Sequence, residues 1–241
     1  MVPLLAAIAY FAQTPAVPAQ VSAKVGHLSA CWSVKDGLAV EFDGTKVVAG
    51  SLLRVVPVNS ATPLPLDSSC AFEKLPNGGT RFTVTFHAKD ASQFSATEQV
   101  DILPTDTLIF RLRGTAVPAK LDWCTAEISG APLAGAKWKA EGVDYSYPTG
   151  VISEAFKTAE FEKSFVNQKF WTMDIVGSAL RIKLAPGQDS PDAIVADGKP
   201  VDTDWPKGER RFWLGFVGVK SVVGETFMRT IRVDLLRVGK P

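Results

Sequence analysis

Histidine occurs only twice in this chain and cysteine only three times, so the side chains that most often carry acid–base, nucleophilic and zinc chemistry are scarce. There is no Cys-x-x-Cys spacing and no Cys/His cluster, which argues against a zinc site. No Gly-x-Ser-x-Gly turn accompanies His27 or His87, so the serine-hydrolase elbow is missing. No glycine-rich loop is built to cradle a phosphate. The charge carries no surplus of either sign: Lys+Arg number 26 against Asp+Glu 25, a net charge of +1. That balance excludes the electrostatic footprint of a nucleic-acid binder, and pairs such as Arg210-Arg211 read as solvated strand ends. No apolar run is long enough to span a bilayer. Helix signals are also rare: Ser153 to Gln168, with Ser153 as a cap and Phe156 and Phe165 near helical spacing, is the one candidate.

What is present is apolar and aromatic material, 46% and 10% of 241 residues, enough for a sizeable core. Its arrangement has period two. Phe82, Val84 and Phe86 alternate with Arg81, Thr83, Thr85 and His87, and Leu108, Phe110 and Leu112 repeat the pattern. Successive side chains leave a strand on opposite faces, so each stretch is a half-buried strand. Ala96, Val100 and Ile102 fall on one face of another. Turn signals separate such runs: Asp36-Gly37, Asp43-Gly44, Pro76-Asn77-Gly78-Gly79 and Asp197-Gly198. Gly50 and Ser51, inside an apolar run, suggest a bulge or bend. Residues 211–219 are apolar on both faces and are expected to lie centrally between two layers, with Trp213 in the core. More than a dozen short strands and at most one short helix predict an all-β protein, an antiparallel β-sandwich of jelly-roll type.

Residues 1–19 read as a secretory signal peptide, with an apolar run to Phe11 and small residues before Gln20, although no basic residue precedes the run. The expected organisation is therefore this leader followed by one β-sandwich domain over 20–241, in a secreted or periplasmic protein. The alternative is two β domains divided near 130–150. In an oxidising compartment Cys70 and Cys124, both in patterned strands, are the preferred disulfide pair, with Cys31 left over.

Among the six tryptophans, Trp138 and Trp205 lie beside polar, loop-rich sequence. They are the candidate ligand-binding residues, since an exposed indole face stacks on a sugar ring. Asp189, Asp192, Asp197, Asp202 and Asp204 offer oxygens of the kind calcium takes, but their spacing fits no calcium loop, and a solvated loop is the better reading. No cofactor and no metal is otherwise expected. Glu141 with Asp144, and Glu154, Glu160 and Glu162, lie close in sequence but form no catalytic constellation of the glycosidase kind.

Residues 212–216 (Phe-Trp-Leu-Gly-Phe) together with 229–238 (Arg-Thr-Ile-Arg-Val-Asp-Leu-Leu-Arg-Val) resemble the closing strands of secreted concanavalin-like or carbohydrate-binding jelly rolls. The resemblance covers the final third, and the Glu-x-Asp-x-x-Glu arrangement of one group of those enzymes is missing. It implies an exported, non-catalytic sandwich that binds a glycan or another envelope component. A polysaccharide-acting enzyme and an envelope assembly protein are the alternatives.

Overall fold

The computed structural model describes residues 20–50, 54–57, 66–89, 95–115, 121–141, 149–151, 168–169, 172–190, 193–197, 211–219 and 226–239. The expected leader, 1–19, lies outside these residues, as does the candidate helix except for Gln168, which is a strand residue. The described elements are strands apart from a single 3-10 turn at Ala131–Leu133. They are β1 (Gln20–Val25), β2 (Leu28–Ser33), β3 (Gly37–Phe42), β4 (Thr45–Gly50), β5 (Arg54–Pro57), β6 (Leu66–Lys74), β7 (Thr80–Ala88), β8 (Ser95–Leu103) and β9 (Thr107–Thr115). Then come β10 (Leu121–Ser129), β11 (Lys137–Glu141), β12 (Thr149–Val151), β13 (Gln168–Lys169), β14 (Thr172–Val176), β15 (Leu180–Pro186), β16 (Ala193–Asp197), β17 (Arg211–Val219) and β18 (Thr226–Arg237).

Two antiparallel sheets result. The first runs β1-β2-β3-β4-β10-β17-β16-β13, with β5 also paired to β10; the second runs β12-β11-β14-β15-β18-β9-β8-β7-β6. One hydrophobic cluster joins them, from Trp32, Leu38, Phe212 and Phe216 of the first sheet to Phe82, Phe86, Phe110 and Ile231 of the second. This is the sandwich that the alternation predicts: Phe82, Val84 and Phe86 are at most 1% exposed, as are Leu108, Phe110 and Leu112. Burying each such side chain stabilises the fold by about 1.5–3 kcal/mol.

The turns follow from backbone chemistry. Asp43 and Gly44 both have positive φ, 50° and 77°, the pairing a two-residue hairpin of right-handed strands requires. The register between β4 and β10 slips between Glu127↔Gly50 and Ile128↔Val48, so the bulge foreseen near Gly50 is there. A Cβ on Gly50 would stand 2.6 Å from the Asp36 carbonyl oxygen, so the β2–β3 turn folds against this strand only because the side chain is missing.

The outer face of the second sheet is laced with charge. Asp101 on β8 accepts from Arg81 Nε at 2.6 Å and from Arg111 Nη1 at 2.5 Å. Burial opposes its ionisation, but the hydrogen bonds from Arg81 and Arg111 outweigh that and hold the carboxyl below its usual range. Asp174 pairs with Arg181 two strands beyond β18.

Candidate functional site

The strand β17 departs from expectation in one respect. Phe212, Leu214 and Phe216 enter the core, but Trp213 does not; it lies between them in sequence and so projects from the opposite face, half-buried. Arg211 shares that outer face. On the neighbouring β10, Ala126 and Ile128 enter the core, which sends Thr125, Glu127 and Ser129 outward. Register places Glu127 opposite Trp213 and Ser129 opposite Arg211.

These outward residues are nonetheless enclosed: Thr125, Glu127 and Ser129 are 0%, 4% and 4% exposed. Polar groups withdrawn from water in the middle of a sheet's outer face are costly unless they are paired. Arg211 donates from Nη1 to Glu127 Oε2 at 2.6 Å, and Thr125 donates to the Leu214 carbonyl at 2.9 Å. The Arg211 side chain is only 17% exposed, so it is not the solvated strand end that Arg210-Arg211 suggested. The indole Nε1 of Trp213 is buried and has no hydrogen-bond partner among the described residues. An acceptor, a cationic donor, an indole face and a spare N–H thus converge over two adjacent central strands.

The outer face continues towards the sheet edge. A cavity of about 390 Å³ lies over β1, β2 and β3, lined by Ser22, Lys24, Ser29, Cys31, Ala39 and Glu41. A second cavity, of about 550 Å³, lies elsewhere, at the ends of β9, β15 and β18, with His27, Asp106, Lys183, Arg232, Asp234 and Arg237 among its walls. Two of its arginines are engaged: Arg232 pairs with Asp234 in the same wall at 2.9 Å, and Arg237 donates to Asp43, outside the lining, at 2.5 Å. His27 Nδ1 sits 3.0 Å from Asp43 and 2.8 Å from Arg237.

The residues singled out from sequence are mostly placed away from the enclosed pair. Trp138 is 2% exposed and belongs to the core cluster; β11 turns it inward with Ala140, so it presents no face to a ligand. Trp205 lies outside the described residues. Cys70 is a free thiol on β6, the edge strand of the second sheet, whereas Cys124 belongs to β10 in the middle of the first; the Cys124 side chain is not among those described. His87 is exposed. Glu141 pairs with exposed Lys139 at 3.3 Å; Asp144, Glu154, Glu160 and Glu162 are outside the described residues. Of the aspartates considered for calcium, Asp189 accepts from the neighbouring Ser190 and from Thr230 on β18, the Asp197 side chain is not among those described, and Asp192, Asp202 and Asp204 are outside the described residues. Among those residues no group of three or more His, Cys, Asp or Glu is arranged to hold a metal ion, and no helix is long and apolar enough to cross a membrane.

No protein-family model and no curated protein matches the sequence. The fold does have likenesses. The chain is similar in three dimensions to galactose 1-epimerase from Lactobacillus acidophilus NCFM, with a TM-score of 0.63 and 8% identity over 90% of this chain and 94% of that one. It is similar to an aldose epimerase homologue from C. elegans, with a TM-score of 0.52 and 11% identity over 91% of this chain and 98% of that one. It also resembles 36% of the chain of an α-N-acetylgalactosaminidase from Bifidobacterium bifidum, with a TM-score of 0.59 and 8% identity. The architecture is therefore the β-sandwich of the aldose epimerase structures. This corrects the expectation of a non-catalytic binder; of the resemblance to concanavalin-like or carbohydrate-binding jelly rolls, the β-sandwich of a carbohydrate-related fold is what the likenesses support. The binder was drawn from the pattern of the last strands, which many sandwiches share, whereas the likeness to proteins named as epimerases runs over nearly the whole chain.

Proposed function

We propose that this protein is a sugar-converting enzyme that opens and recloses the ring of an aldose at its anomeric carbon, with Glu127, Arg211 and Trp213 at the reacting centre. The observation that carries the reading is the enclosed Glu127–Arg211 pair on the outer face of the first sheet, on a scaffold shared with sugar epimerases.

Interconverting two anomers needs no redox change. A base takes the proton of the O1 hydroxyl, the C1–O5 bond breaks as the C1=O1 bond forms, and O5 takes up a proton. The C1–C2 bond then rotates and the ring recloses from the other side. Glu127 is the acceptor for the O1 proton and returns it on closure. Arg211, beside it, stabilises the negative charge that develops on the ring oxygen, and O5 takes its proton from water. Trp213 offers a face to the axial C–H groups of the sugar and its spare Nε1–H to a hydroxyl. Enclosure strengthens each of these electrostatic terms. The apolar leader supports placing this activity outside the cytoplasm, and a glycan is the partner this reading implies.

Polarimetry of freshly dissolved α-D-galactose and α-D-glucose tests the reading. Acceleration over buffer by the wild type, and its loss in Glu127→Gln, is the expected result. A wild-type rate equal to buffer for every aldose tried overturns it.

A further inference from the structure

Four chain segments meet at one end of the sandwich. They are the β1–β2 turn at Gly26 and His27, the β3–β4 turn at Asp43, the β8–β9 turn at Asp106, and the end of β18 at Arg237. The first two belong to one sheet and the last two to the other. His27 is tied to its own sheet by the backbone, where the Asp43 N–H donates to the His27 carbonyl at 3.0 Å. Its ring stands edge-on with that of buried Phe42, centroids 6.1 Å apart and planes at 75°.

Two groups address a single atom of that ring. Nδ1 is 3.0 Å from Asp43 Oδ1, which as a carboxylate only accepts, and 2.8 Å from Arg237 Nη2, which only donates. A bare Nδ1 accepts from Arg237 but turns its lone pair on the Asp43 oxygen as well. A protonated Nδ1 donates to Asp43 but meets the guanidinium as one cation meets another. One nitrogen cannot serve both partners.

Arg237 also donates from Nε to Asp43 Oδ2 at 2.5 Å. That hydrogen bond holds the Asp43 carboxyl below the usual carboxylate range. The other charged groups around His27 are Asp106, whose Oδ1 is 3.7 Å from where a Cβ on Gly26 would stand, and Lys183, Arg232 and Asp234 in the walls of the cavity that His27 and Arg237 share. Carboxylates, lysines and arginines do not ordinarily titrate near neutrality; histidine does. His27 is exposed, so water delivers and removes its proton freely.

We propose that His27 is a pH-sensitive latch between the two sheets. With Nδ1 bare and the proton on Nε2, Arg237 donates to both Asp43 and His27, and two hydrogen bonds cross from β18 to the first sheet. When a proton from water adds to Nδ1, that N–H donates to Asp43, a bond within the first sheet. One of the two crossing bonds is lost, and Arg237 gains a like charge beside it. The end of β18 is therefore fastened in alkaline solution and loosened in acid. The latch does not depend on the activity proposed above.

Long-range proton–nitrogen NMR correlation in nitrogen-15-labelled protein reads which imidazole nitrogen carries the proton, with exposed His87 as the internal reference. At pH 9 the His27 proton is expected on Nε2 in the wild type and on Nδ1 in Arg237→Leu, where Asp43 is the remaining partner. Hydrogen exchange of the Val238 amide, which donates to the Ala179 carbonyl at 3.1 Å just beyond β18, reads the fastening. Corrected for intrinsic rate, its protection factor should fall about two- to fivefold from pH 8 to pH 5 in the wild type, the scale of an exposed charge pair. It should stay constant in His27→Gln, whose side-chain oxygen accepts from Arg237 at every pH. A wild-type proton on Nδ1 at pH 9, or one still on Nε2 in Arg237→Leu, overturns the inference. So does a Val238 protection factor that is constant in the wild type or falls equally in His27→Gln.

Discussion

Arg211 and Glu127 are 84 residues apart in sequence, yet the antiparallel pairing of β17 with β10 brings a guanidinium nitrogen within 2.6 Å of a carboxylate oxygen on the outer face of a sheet. A pair this enclosed is weak evidence of a stabilising role. Buried ion pairs repay little more than their desolvation cost, and apolar residues would fill the same space as well. Withdrawing the acceptor therefore tests function and fold separately. Glu127→Gln is expected to lower kcat for anomer exchange by about 10²–10⁴-fold while leaving KM nearly unchanged. Thermal unfolding of the same variant checks that the fold persists.

Asp101 is held between Arg81 and Arg111. Because its folded pKa lies below the ordinary value, its contribution to stability is fully present above about pH 4 and is lost as pH falls through the folded pKa. Asp101→Asn should cost about 1–3 kcal/mol at pH 7. Urea midpoints measured from pH 7 to pH 3 should show the gap between wild type and variant closing only at the acid end.

The contact between Gly50 and the Asp36 carbonyl leaves no room for a methyl group. Gly50→Ala is expected to destabilise the protein by about 1–3 kcal/mol. It should also reduce anomer exchange beyond what stability explains, since Gly50 stands opposite Glu127. Activity measured well below the variant's melting temperature separates the two effects.

Burial pushes the Cys70 thiol up to about 12. Its alkylation by iodoacetamide at pH 8, followed by peptide mapping, should therefore run roughly a thousandfold slower than that of a free thiol. Once urea unfolds the chain without reductant, Cys70 should react promptly. A Cys70–Cys124 disulfide would keep it blocked.

Phe110 sits in the middle of the second sheet, opposite both Val100 and Ile231, and is 1% exposed. Phe110→Ala should cost about 3–5 kcal/mol, read from the shift in denaturation midpoint at constant slope.

The sandwich was legible because period two is imposed by the pleat itself. Phe82, Val84 and Phe86 had no other way to share a face. The reading failed where a residue's face depends on what lies beyond the strand. At Trp213 the alternation with Phe212 and Leu214 already assigned it the opposite face, but an apolar outer side looked like a second core layer. Trp138 erred the other way: lysines on both sides suggested a wet loop, yet they are the outward half of a strand that turns its indole inward. Glu98 shows the same limit. It occupies the inward position between Ala96 and Val100 and is fully buried, a gap in the apolar alternation that composition alone passes over. The Glu127–Arg211 pair was out of reach, because no local spacing relates residues on strands that meet only through register.

β18 follows every other strand in the chain order, yet it is inserted between β15 and β9 in the heart of the second sheet. It also carries Arg237, which clasps Asp43 of the first sheet's hairpin. During synthesis, then, both halves of that sheet leave the ribosome with a vacant seam between them, and neither can be joined until these twelve residues emerge. The second sheet therefore closes only after β18 is translated, through contacts of long sequence separation that slow folding. Nascent chains stopped before Thr226 should be the species that chaperones and proteases capture.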